Sequence, residues 1–471
     1  MQLNASHILD IQHDTAIPWW YLVPIYVIFL GGMLVLYPSV SPLILVGGIL
    51  VLLLTFFYPT IILIAFVFLG VTKPWMDENI GFFQTFDYTF FLAILVVFSL
   101  IIRLIKYHNP HLPNFHRFLW PLILLSIMLF IGLIYTPSPD YGSVKAARFL
   151  LFNIPLFVAT ILFIQRWMDL YRIFWIIILF SMVFAFIMIY EGVMNYFTGD
   201  FLGYVLRMTV LGANPISTGR VLSFGLLILF VLAYYEKRVS LRYLLFSLSG
   251  FLFVCLLMTN TRGPIVSTVA AIFVFLVLFS GINFKQFIII SSGLIIFFVT
   301  VVMILPDFLT SRIIMYFSQD VGQQTMMVDR IDTVASRTDM WKMAITGSFD
   351  SFKQFLIGRG TGGFASLYPF FDFRWYPHNI FFEIMFEIGI IGLLLFVIHI
   401  SKITNVSKTL INKTEKTDRH HTVIVVIVLA ISAFIGTLIS GDLADNRTLW
   451  FFFGMIIALH RLLHAENSKK N

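Results

Sequence analysis

Apolar runs long enough to cross a lipid bilayer recur along nearly the whole 471-residue chain. A membrane-spanning helix needs about 20 mostly apolar residues, and inside the bilayer its backbone must satisfy its own hydrogen bonds. The candidate runs are 21–37, 41–57, 60–72, 86–105, 118–135, 147–164, 171–190, 218–235, 241–259, 264–280, 285–305, 378–400, 422–440 and 447–463. They predict an all-α, polytopic integral membrane protein with about 12 to 14 transmembrane helices. The second and third runs are short and separated only by Tyr58-Pro59, so a hairpin or re-entrant pair is the alternative to two crossings there.

Composition leaves no room for a large soluble domain, because 59% of the residues are apolar and only 12% are charged. The 31 Lys and Arg exceed the 24 Asp and Glu, which in a soluble protein would suggest nucleic-acid binding. In a membrane protein the positive-inside rule explains this excess, so we expect no nucleic-acid partner. The only cysteine, Cys255, lies inside an apolar run, which excludes a disulfide within the monomer and chemistry that needs several cysteines.

The Lys and Arg residues are distributed unevenly between the two sides of the predicted membrane. Seventeen lie on one side, and the short loops opposite hold seven, namely Lys73, Lys145, Arg148, Arg207, Arg220, Arg262 and Arg447. Because cytoplasmic loops are the basic ones, both termini are predicted to be cytoplasmic. The long polar stretch 306–377 then faces outward as one large outer loop, and the other predicted segments are 1–205, 206–305 and 378–471. No cytoplasmic loop is long enough for a nucleotide-binding domain, so any chemistry is expected on the outer face.

Outward-facing arginines are exceptions to this charge rule. Arg220 follows Asn214 and Pro215, which are predicted to cap and begin a helix, and Arg262 lies in a turn between two outer helix ends. A single boundary arginine usually extends toward the headgroups. Two on one face, together with arginines in the outer loop, favour an anion site, because guanidinium groups bind phosphate oxygens in a bidentate manner.

The outer loop contains two further segments of interest. Ser336 to Trp341 is typical of a helix start, with Ser336 as the N-cap, Arg337 next to it, and an apolar face predicted to rest on the membrane surface. Gly358 to Phe364 surrounds Arg359 with glycines whose backbone N–H groups could cradle an anion. Ordinary turn glycines are the alternative interpretation of this second segment.

The most specific motif is His378-Asn379, followed by Gly389 and Gly392. A neutral imidazole at the membrane boundary can accept a proton from a hydroxyl, although an interfacial histidine bound to headgroups is the alternative. The two glycines are predicted to allow close helix packing. Glu383 and Glu387 are one helical turn apart, and carboxylates this deep in a span suggest a second base, or a partner for His378 or an arginine.

Asp442 and Asp445 are the remaining acidic pair near an outer helix end. They are predicted to lie in a solvated turn rather than in half of a cation site, because no further metal-ligating residue accompanies them at suitable spacing. The sequence therefore predicts no metal site.

The order of these elements resembles that of the O-antigen ligase and O-antigen polymerase family of bacterial surface-polysaccharide assembly. The resemblance covers mainly residues 205–400, from Arg220 and Arg262 through the glycine-rich outer loop to His378-Asn379 with its two following glycines. It implies a glycosyltransferase of the bacterial cytoplasmic membrane that needs no cofactor. The implied donor is an oligosaccharide linked through diphosphate to undecaprenol.

The resemblance also implies roles for particular residues. His378 or Glu383 would deprotonate the acceptor hydroxyl in a single inverting displacement. The diphosphate and substrate would be bound by Arg220, Arg262, Arg337, Arg359 and Asn379. The implied partners are a growing polysaccharide or another glycan acceptor, membrane lipid, and other polysaccharide assembly proteins.

Two other functions are considered on sequence grounds. A flippase for lipid-linked oligosaccharide would be expected to place charges at mid-span and to show two related halves, and neither is evident. A non-catalytic partner in an assembly complex would need no combination of histidine and arginines. Within the family, the sequence leaves polymerase and ligase open, and it does not identify the sugar.

Overall fold

The computed structural model describes residues 59–106, 116–198, 208–279, 292–293, 334–367, 372 and 374–468, and the ordered elements of these ranges are helical. The helices are α1 (Pro59–Val67), α2 (Leu69–Asn79), α3 (Gly81–Thr85), α4 (Tyr88–Lys106), α5 (His116–Gly132), α6 (Pro139–Arg148), α7 (Ile154–Phe163), α8 (Trp167–Thr198), α9 (Pro215–Tyr235), α10 (Val239–Met258), α11 (Arg262–Leu278), α12 (Val334–Ser348), α13 (Phe352–Ile357), α14 (Ile380–Thr414), α15 (His420–Thr437) and α16 (Arg447–Ser468). A π-helical turn, Phe149–Asn153, joins α6 to α7. The predicted all-α fold is confirmed.

Eight helical segments in these ranges are long and apolar enough to cross a membrane, and the bent pair α1 and α2 would make a ninth. The eight are α4, α6 continued by α7, α8, α9, α10, α14, α15 and α16. Helices α5 and α11 are apolar but have only 17 residues each. Eleven predicted runs coincide with these helices, whereas 21–37, 41–57 and nearly all of 285–305 lie outside the described residues. The polytopic membrane architecture is therefore confirmed.

Helices α9, α15 and α16 are the most enclosed of these segments. Small residues allow the close approach of α9 to α8, since a Cβ atom at Gly225 would lie 2.2 Å from Oγ of Ser181. The Ser181 hydroxyl donates a hydrogen bond of 2.7 Å to the carbonyl of Val221. Close packing and interhelical hydrogen bonds matter here because lipid provides little hydrophobic drive for helices to associate.

Helices α1 and α2 form a broken span. Their axes bend by 86° around Phe68, and no side chain caps the start of α2. A Cβ atom at Gly70 would lie 2.6 Å from Oγ of Ser217, so glycine allows this start to pack directly on α9. The break is thereby held beside the N-terminal end of α9, the helix that carries Arg220.

Helix α14 is also broken, at Gly389, where φ is +74°. A Cβ atom at Gly389 would lie 2.4 Å from the carbonyl carbon of Leu356, and one at Gly358 would lie 2.2 Å from that of Glu387. The two backbones cross where both positions require glycine. Close packing at Gly389 is thus confirmed, whereas the nearest neighbours of a Cβ at Gly392 belong to α14 itself.

Helix α12 begins at Val334, two residues before the predicted N-cap Ser336. Met340 and Ala344 were predicted to rest on the membrane surface, and that prediction is wrong for both residues because they are buried in the protein. Met340 and Ala344 are buried against Phe364 and Phe386, and the Trp341 ring lies 5.7 Å from the Phe382 ring. Helix α12 therefore packs on α14.

Candidate active site

A cavity of about 370 Å³ opens where the break between α1 and α2 meets the first turns of α9 and α16. Five cationic side chains line it, namely Lys73, Arg148, Arg220, Arg374 and Arg447. Among the described residues, Asp445 is the one carboxylate in the lining. Such a surface suits a ligand that carries more than one negative charge.

Three of these cations are paired with carboxylates. Lys73 Nζ lies 2.6 Å from Oδ2 of Asp87, and Arg148 Nη1 lies 3.6 Å from Oδ1 of Asp445. Arg374 contacts Asp442 as well as Asp445. The lining is thus a network of fixed charges held in place by neighbouring acidic groups.

Arg220 lies at the centre of this arrangement. As predicted, Asn214 caps α9, accepting a 2.9 Å hydrogen bond from the Ile216 N–H, and Pro215 begins the helix. Arg220 Nη2 donates to the carbonyl of Ser440 at 3.1 Å and to Oδ1 of Asn446 at 3.3 Å. These neutral acceptors orient the guanidinium without neutralising its charge.

Arg262 and Arg337 meet at a second, much smaller cavity of about 20 Å³. Ile216 and Ser440 line both cavities, so the two spaces adjoin. Three of the predicted anion-binding arginines are therefore brought to one region from α9, α11 and α12.

His378 lies beside the larger cavity. Its backbone adopts a φ of +57°, and its ring lies 4.4 Å from that of Tyr376, which lines the cavity. The preceding carbonyl, that of Pro377, accepts a 2.8 Å hydrogen bond from the Trp341 indole. Burial raises the pKa of Tyr376 to about 12, so its hydroxyl stays protonated next to the site.

Asn379 caps α14. Its Oδ1 accepts hydrogen bonds from the N–H groups of Phe381 and Phe382 at 3.0 and 3.3 Å, and its Nδ2 donates to the carbonyl of Leu438. Both ends of the amide are engaged by the protein. A role in substrate binding stays a prediction for this residue.

Residues 248–397 match the family model described as O-antigen ligase. This segment is similar to the O-antigen ligase family. The matched segment contains Arg262, Arg337, Arg359 and His378, whereas Arg220 lies before it. No curated protein matches the chain.

The matched segment contains two buried carboxylates, Glu383 and Glu387, which pair with Lys145 from α6. Lys145 Nζ lies 2.8 and 2.7 Å from the two oxygens of Glu387, and all three side chains are 1% exposed. The sequence suggested a second base for these carboxylates, or a partner for His378 or an arginine. Both carboxylates contact the same single lysine, which lies outside the matched segment.

Glu383 is not placed to exchange protons with a ligand in either cavity. Besides Lys145, its two oxygens accept hydrogen bonds from the Leu443 N–H at 3.1 and 3.0 Å, and it lines neither cavity. These contacts make it a bridge between α14 and the turn that precedes α16. The choice between Glu383 and His378 as the base stays a prediction, since neither residue lines either of these cavities.

Asp442 lies in that same turn, and the prediction that the turn is solvated is wrong for this residue. Its side chain is 2% exposed, accepts a 2.8 Å hydrogen bond from the Tyr141 hydroxyl and pairs with Arg374. Burial alone would raise the pKa of Asp442, but the charges of Arg374 and Lys145 outweigh it and lower this pKa. No group of three or more His, Cys, Asp or Glu in the described ranges is arranged to hold a metal ion.

The glycine-rich segment does bind an anion, and that anion is a side chain of the protein. The Gly362 N–H donates a 2.9 Å hydrogen bond to Oε2 of Glu387, and the Gly360 N–H donates to the Glu387 carbonyl at the same distance. Both the backbone and the carboxylate of α14 are therefore held by this loop. These N–H groups are not available to a substrate.

Arg359 in this loop pairs with Asp350, and its guanidinium lies 5.3 Å from the Phe386 ring. It lines neither cavity. The structure therefore does not bring Arg359 together with the other predicted diphosphate ligands.

Sequence reasoning missed Lys145, Arg374 and Arg447 as site residues. Lys145 was assigned to a loop because the predicted span began at 147, whereas α6 begins at Pro139 after Ser138. The sequence feature that could have identified Lys145 is its position next to an apolar run. A charged residue buried at such a position is expected to pair with a residue of opposite charge. Arg374 and Arg447 had no local motif, because their proximity to Arg220 arises only from the tertiary fold.

Proposed function

We propose that the protein is a membrane glycosyltransferase that polymerises or ligates oligosaccharides carried on undecaprenyl diphosphate. The match of residues 248–397 to the O-antigen ligase family model supports glycosyl transfer. The observation that carries the finer proposal is the cavity lined by five cationic side chains beside His378. A sugar attached through diphosphate to a membrane lipid is an anionic donor that such a cavity would suit.

The proposed reaction is a single inverting displacement at the anomeric carbon. His378 takes the proton of an acceptor sugar hydroxyl, whose oxygen forms the new glycosidic bond. The bond between the anomeric carbon and the phosphate oxygen breaks, and its electron pair leaves with the diphosphate. Arg220, Arg262 and Arg337 stabilise the charge that develops on this leaving group.

Fixed guanidinium groups would replace the divalent cation that neutralises a diphosphate in many glycosyltransferases. Arginines stay charged at any physiological pH and offer paired donors to phosphate oxygens. We therefore propose that turnover is independent of divalent metal. Arg359 is left out of this set because it is engaged with Asp350.

The site is proposed to face outward from the bacterial cytoplasmic membrane, with both chain termini in the cytoplasm. The support is the charge distribution, since seventeen Lys and Arg fall on the side opposite the site. A substrate that has already crossed the membrane on its lipid carrier would meet the site there. The acceptor would then be a growing polysaccharide or another glycan on that face.

The proposal is tested with the purified full-length protein in lipid nanodiscs, given undecaprenyl-diphosphate oligosaccharide and excess chelator. A ladder of products would identify a polymerase, and transfer of a single chain to an added acceptor would identify a ligase. Movement of the intact donor across a vesicle membrane without glycosyl transfer would contradict the proposal in favour of a flippase. Absence of both activities in folded protein supplied with an acceptor would favour a non-catalytic assembly partner.

A further inference from the structure

An apolar cavity of about 300 Å³ lies between α12, α13 and the first half of α14. Its walls include the side chains of Phe349, Phe381 and Leu393. Of the described side chains in this lining, Ser348 alone is polar, and its hydroxyl donates a 2.7 Å hydrogen bond to the Ala344 carbonyl. An apolar cavity without free polar groups does not hold ordered water, even when it is much larger than the roughly 30 Å³ of one water molecule. The occupant that suits this cavity is therefore a hydrocarbon.

The apolar cavity adjoins a part of the protein surface that faces lipid. Ile390 and Leu393 of α14 line it. The residues that follow them, Ile391 and Leu394, are 39% and 53% exposed. On a membrane-spanning helix, exposed apolar side chains contact lipid tails, which are as apolar as they are. Ile345 of α12 lines the cavity and is also exposed, by 43%. A lipid tail can therefore enter this cavity from the bilayer.

The length of the apolar cavity suits the tail of a lipid in one leaflet. Its lining follows α14 from Phe381, next to the start of the helix, to Leu393. At about 1.5 Å per residue this distance is roughly 18 Å, and the break at Gly389 shortens it. The hydrocarbon of one leaflet is about 15 Å thick. A single chain matches the cavity without having to cross the bilayer.

Two exposed lysines lie on the elements that line the apolar cavity. Lys342 precedes Ile345 by three residues on α12, so the two side chains share one face of that helix. Lys353 of α13 lies two residues before the lining residue Phe355. Asp350, the carboxylate nearest to Lys353 in the sequence, is paired with the arginine of the glycine-rich loop. The two ammonium groups complement the negative charge of an anionic headgroup.

The apolar cavity is separate from the two cationic cavities, since it shares no lining residue with either. A lipid bound here need not compete with an anion bound there. The apolar cavity is nevertheless linked to the candidate active site. Phe382 lines it, and the Phe382 ring lies 5.7 Å from that of Trp341, whose indole donates to the Pro377 carbonyl. A chain in the cavity would pack against this connection to the segment that precedes His378.

We propose that the apolar cavity binds one acyl chain of an anionic phospholipid, whose headgroup is held by Lys342 and Lys353. The inference does not rest on the proposed function, because the cavity and the two lysines carry it. A phospholipid suits the site because its single net negative charge requires only two separate ammonium groups at the edge of the bilayer. Since such a lipid binds the folded protein, it also stabilises the packing of α12 and α13 on α14.

The experiment uses the full-length protein in phosphatidylcholine nanodiscs that contain a small fraction of a photoreactive lipid. One probe is phosphatidylglycerol with a diazirine in one acyl chain, and the other is phosphatidylcholine with the same chain. After illumination, the labelled peptides are identified and quantified by mass spectrometry. Thermal unfolding of each variant checks that it is folded.

The variants separate the cavity from the lysines. Ile345→Trp fills the cavity, and its control is Met343→Trp on the same helix, because Met343 is 41% exposed and does not line the cavity. The double variant Lys342→Gln, Lys353→Gln removes the two charges. Its control is Lys408→Gln, Lys416→Gln, which removes two exposed lysines elsewhere in the chain.

In the wild type, we expect the phosphatidylglycerol probe to label the lining segments of α12, α13 and α14 about 30-fold more efficiently than the phosphatidylcholine probe. This is the combined effect of two lysines near a membrane surface. Ile345→Trp should lose the labelling of these segments, because the indole occupies the space of the chain. The double lysine variant should lose the preference between the probes. Both controls should behave as the wild type does.

Equal labelling of the wild type by the two probes would overturn the headgroup contact, and labelling confined to other lipid-facing helices would overturn the cavity as the site. Both results are obtained without any variant. Ile345→Trp labelled as strongly as Met343→Trp would also contradict the inference. If undecaprenyl diphosphate displaced the phosphatidylglycerol probe, the occupant would be a prenyl chain, and the inference would be wrong while the proposed function stood. The predicted labelling in a protein that transfers no sugar would contradict the proposed function alone.

Discussion

Lys145 Nζ lies 2.7 Å from Oε2 of Glu387, and both side chains are 1% exposed. The pair joins α6 to the break in α14, and Glu383 one turn away contacts the same lysine. A buried ion pair is strongly destabilised when one partner is removed, because the other charge stays in a medium that solvates it poorly. Substitutions in the cluster of Lys145, Glu383 and Glu387 therefore test how much this ion pairing stabilises the protein.

Lys145→Met should lower the stability of the protein by about 3–5 kcal/mol, because two carboxylates would be left buried without their counter-charge. Adding Glu387→Gln should recover part of this loss. Thermal unfolding of the single and double variants measures both effects, with Arg166→Gln as the exposed control. A Lys145→Met variant as stable as the wild type would contradict the buried pair.

Gly389→Ala should destabilise the protein by more than about 2 kcal/mol, because φ is +74° there and a methyl group would meet the Leu356 backbone. Gly250→Ala is the matched control. Its added methyl group meets no atom within 4 Å, and alanine in the α10 interior should be neutral or stabilising. Unfolding midpoints decide the comparison, and equal midpoints for the two variants would argue against the backbone crossing.

His378→Asn should reduce the rate of glycosyl transfer by about 10²–10⁴-fold while donor binding is retained. Asparagine tolerates the positive φ of this position but supplies no base near neutral pH. The rate is measured at saturating donor, and donor affinity is measured separately. Near-normal turnover by a well-expressed variant would remove His378 from the proposed mechanism.

The charge of Asp442 should contribute stability that depends on pH. Its folded-state pKa is lowered, so its ionised form stabilises the protein above the ordinary value of 3.8, and this contribution is lost as pH falls through the lowered pKa. The difference in unfolding midpoint between the wild type and Asp442→Asn should therefore shrink on acidification below about pH 4. If the difference in unfolding midpoint instead grew as pH fell, it would contradict a lowered pKa for Asp442 in the folded state.

Cysteine labelling tests the proposed orientation. In a Cys255→Ser background, a cysteine at Ser351 should react with an impermeant thiol reagent in intact cells, and one at Asn412 should react only after lysis. Both positions are exposed, so accessibility to solvent does not separate them. The reverse pattern would place the cationic cavity on the cytoplasmic side.

Hydrophobic length was enough to predict the all-α membrane fold, because spans of about 20 apolar residues have few alternatives in a bilayer. Local chemistry was also enough for the cap at Asn214 and for the importance of Gly389. Arg220, Arg262 and Arg337 could be predicted as a group because outward arginines break a rule that applies along the whole sequence.

Pairings between distant segments could not be predicted in the same way. Glu387 and Lys145 are 242 residues apart, and neither residue identifies the other in a single sequence. The burial of Asp442 likewise depends on Tyr141 and Arg374 arriving from other elements. The pairing of Arg359 with Asp350 and of Gly362 with Glu387 could not be foreseen either, because glycines that suit an external anion are equally suited to a carboxylate of the protein.

The hydrogen bond from the Gly362 N–H to the Glu387 carboxylate restricts which segments can be exchanged between relatives. A donor segment spliced in place of 334–367 would have to present a backbone N–H at the point where Gly362 meets that carboxylate, and glycine where Gly358 crosses α14. If residues 334–367 alone were exchanged, α14 of the recipient would keep its break at Gly389 and its Glu387 carboxylate. Neither would then meet the backbone that it packs against in its own protein. Grafts that also carry α14 and the lysine of α6 should be the ones that assemble.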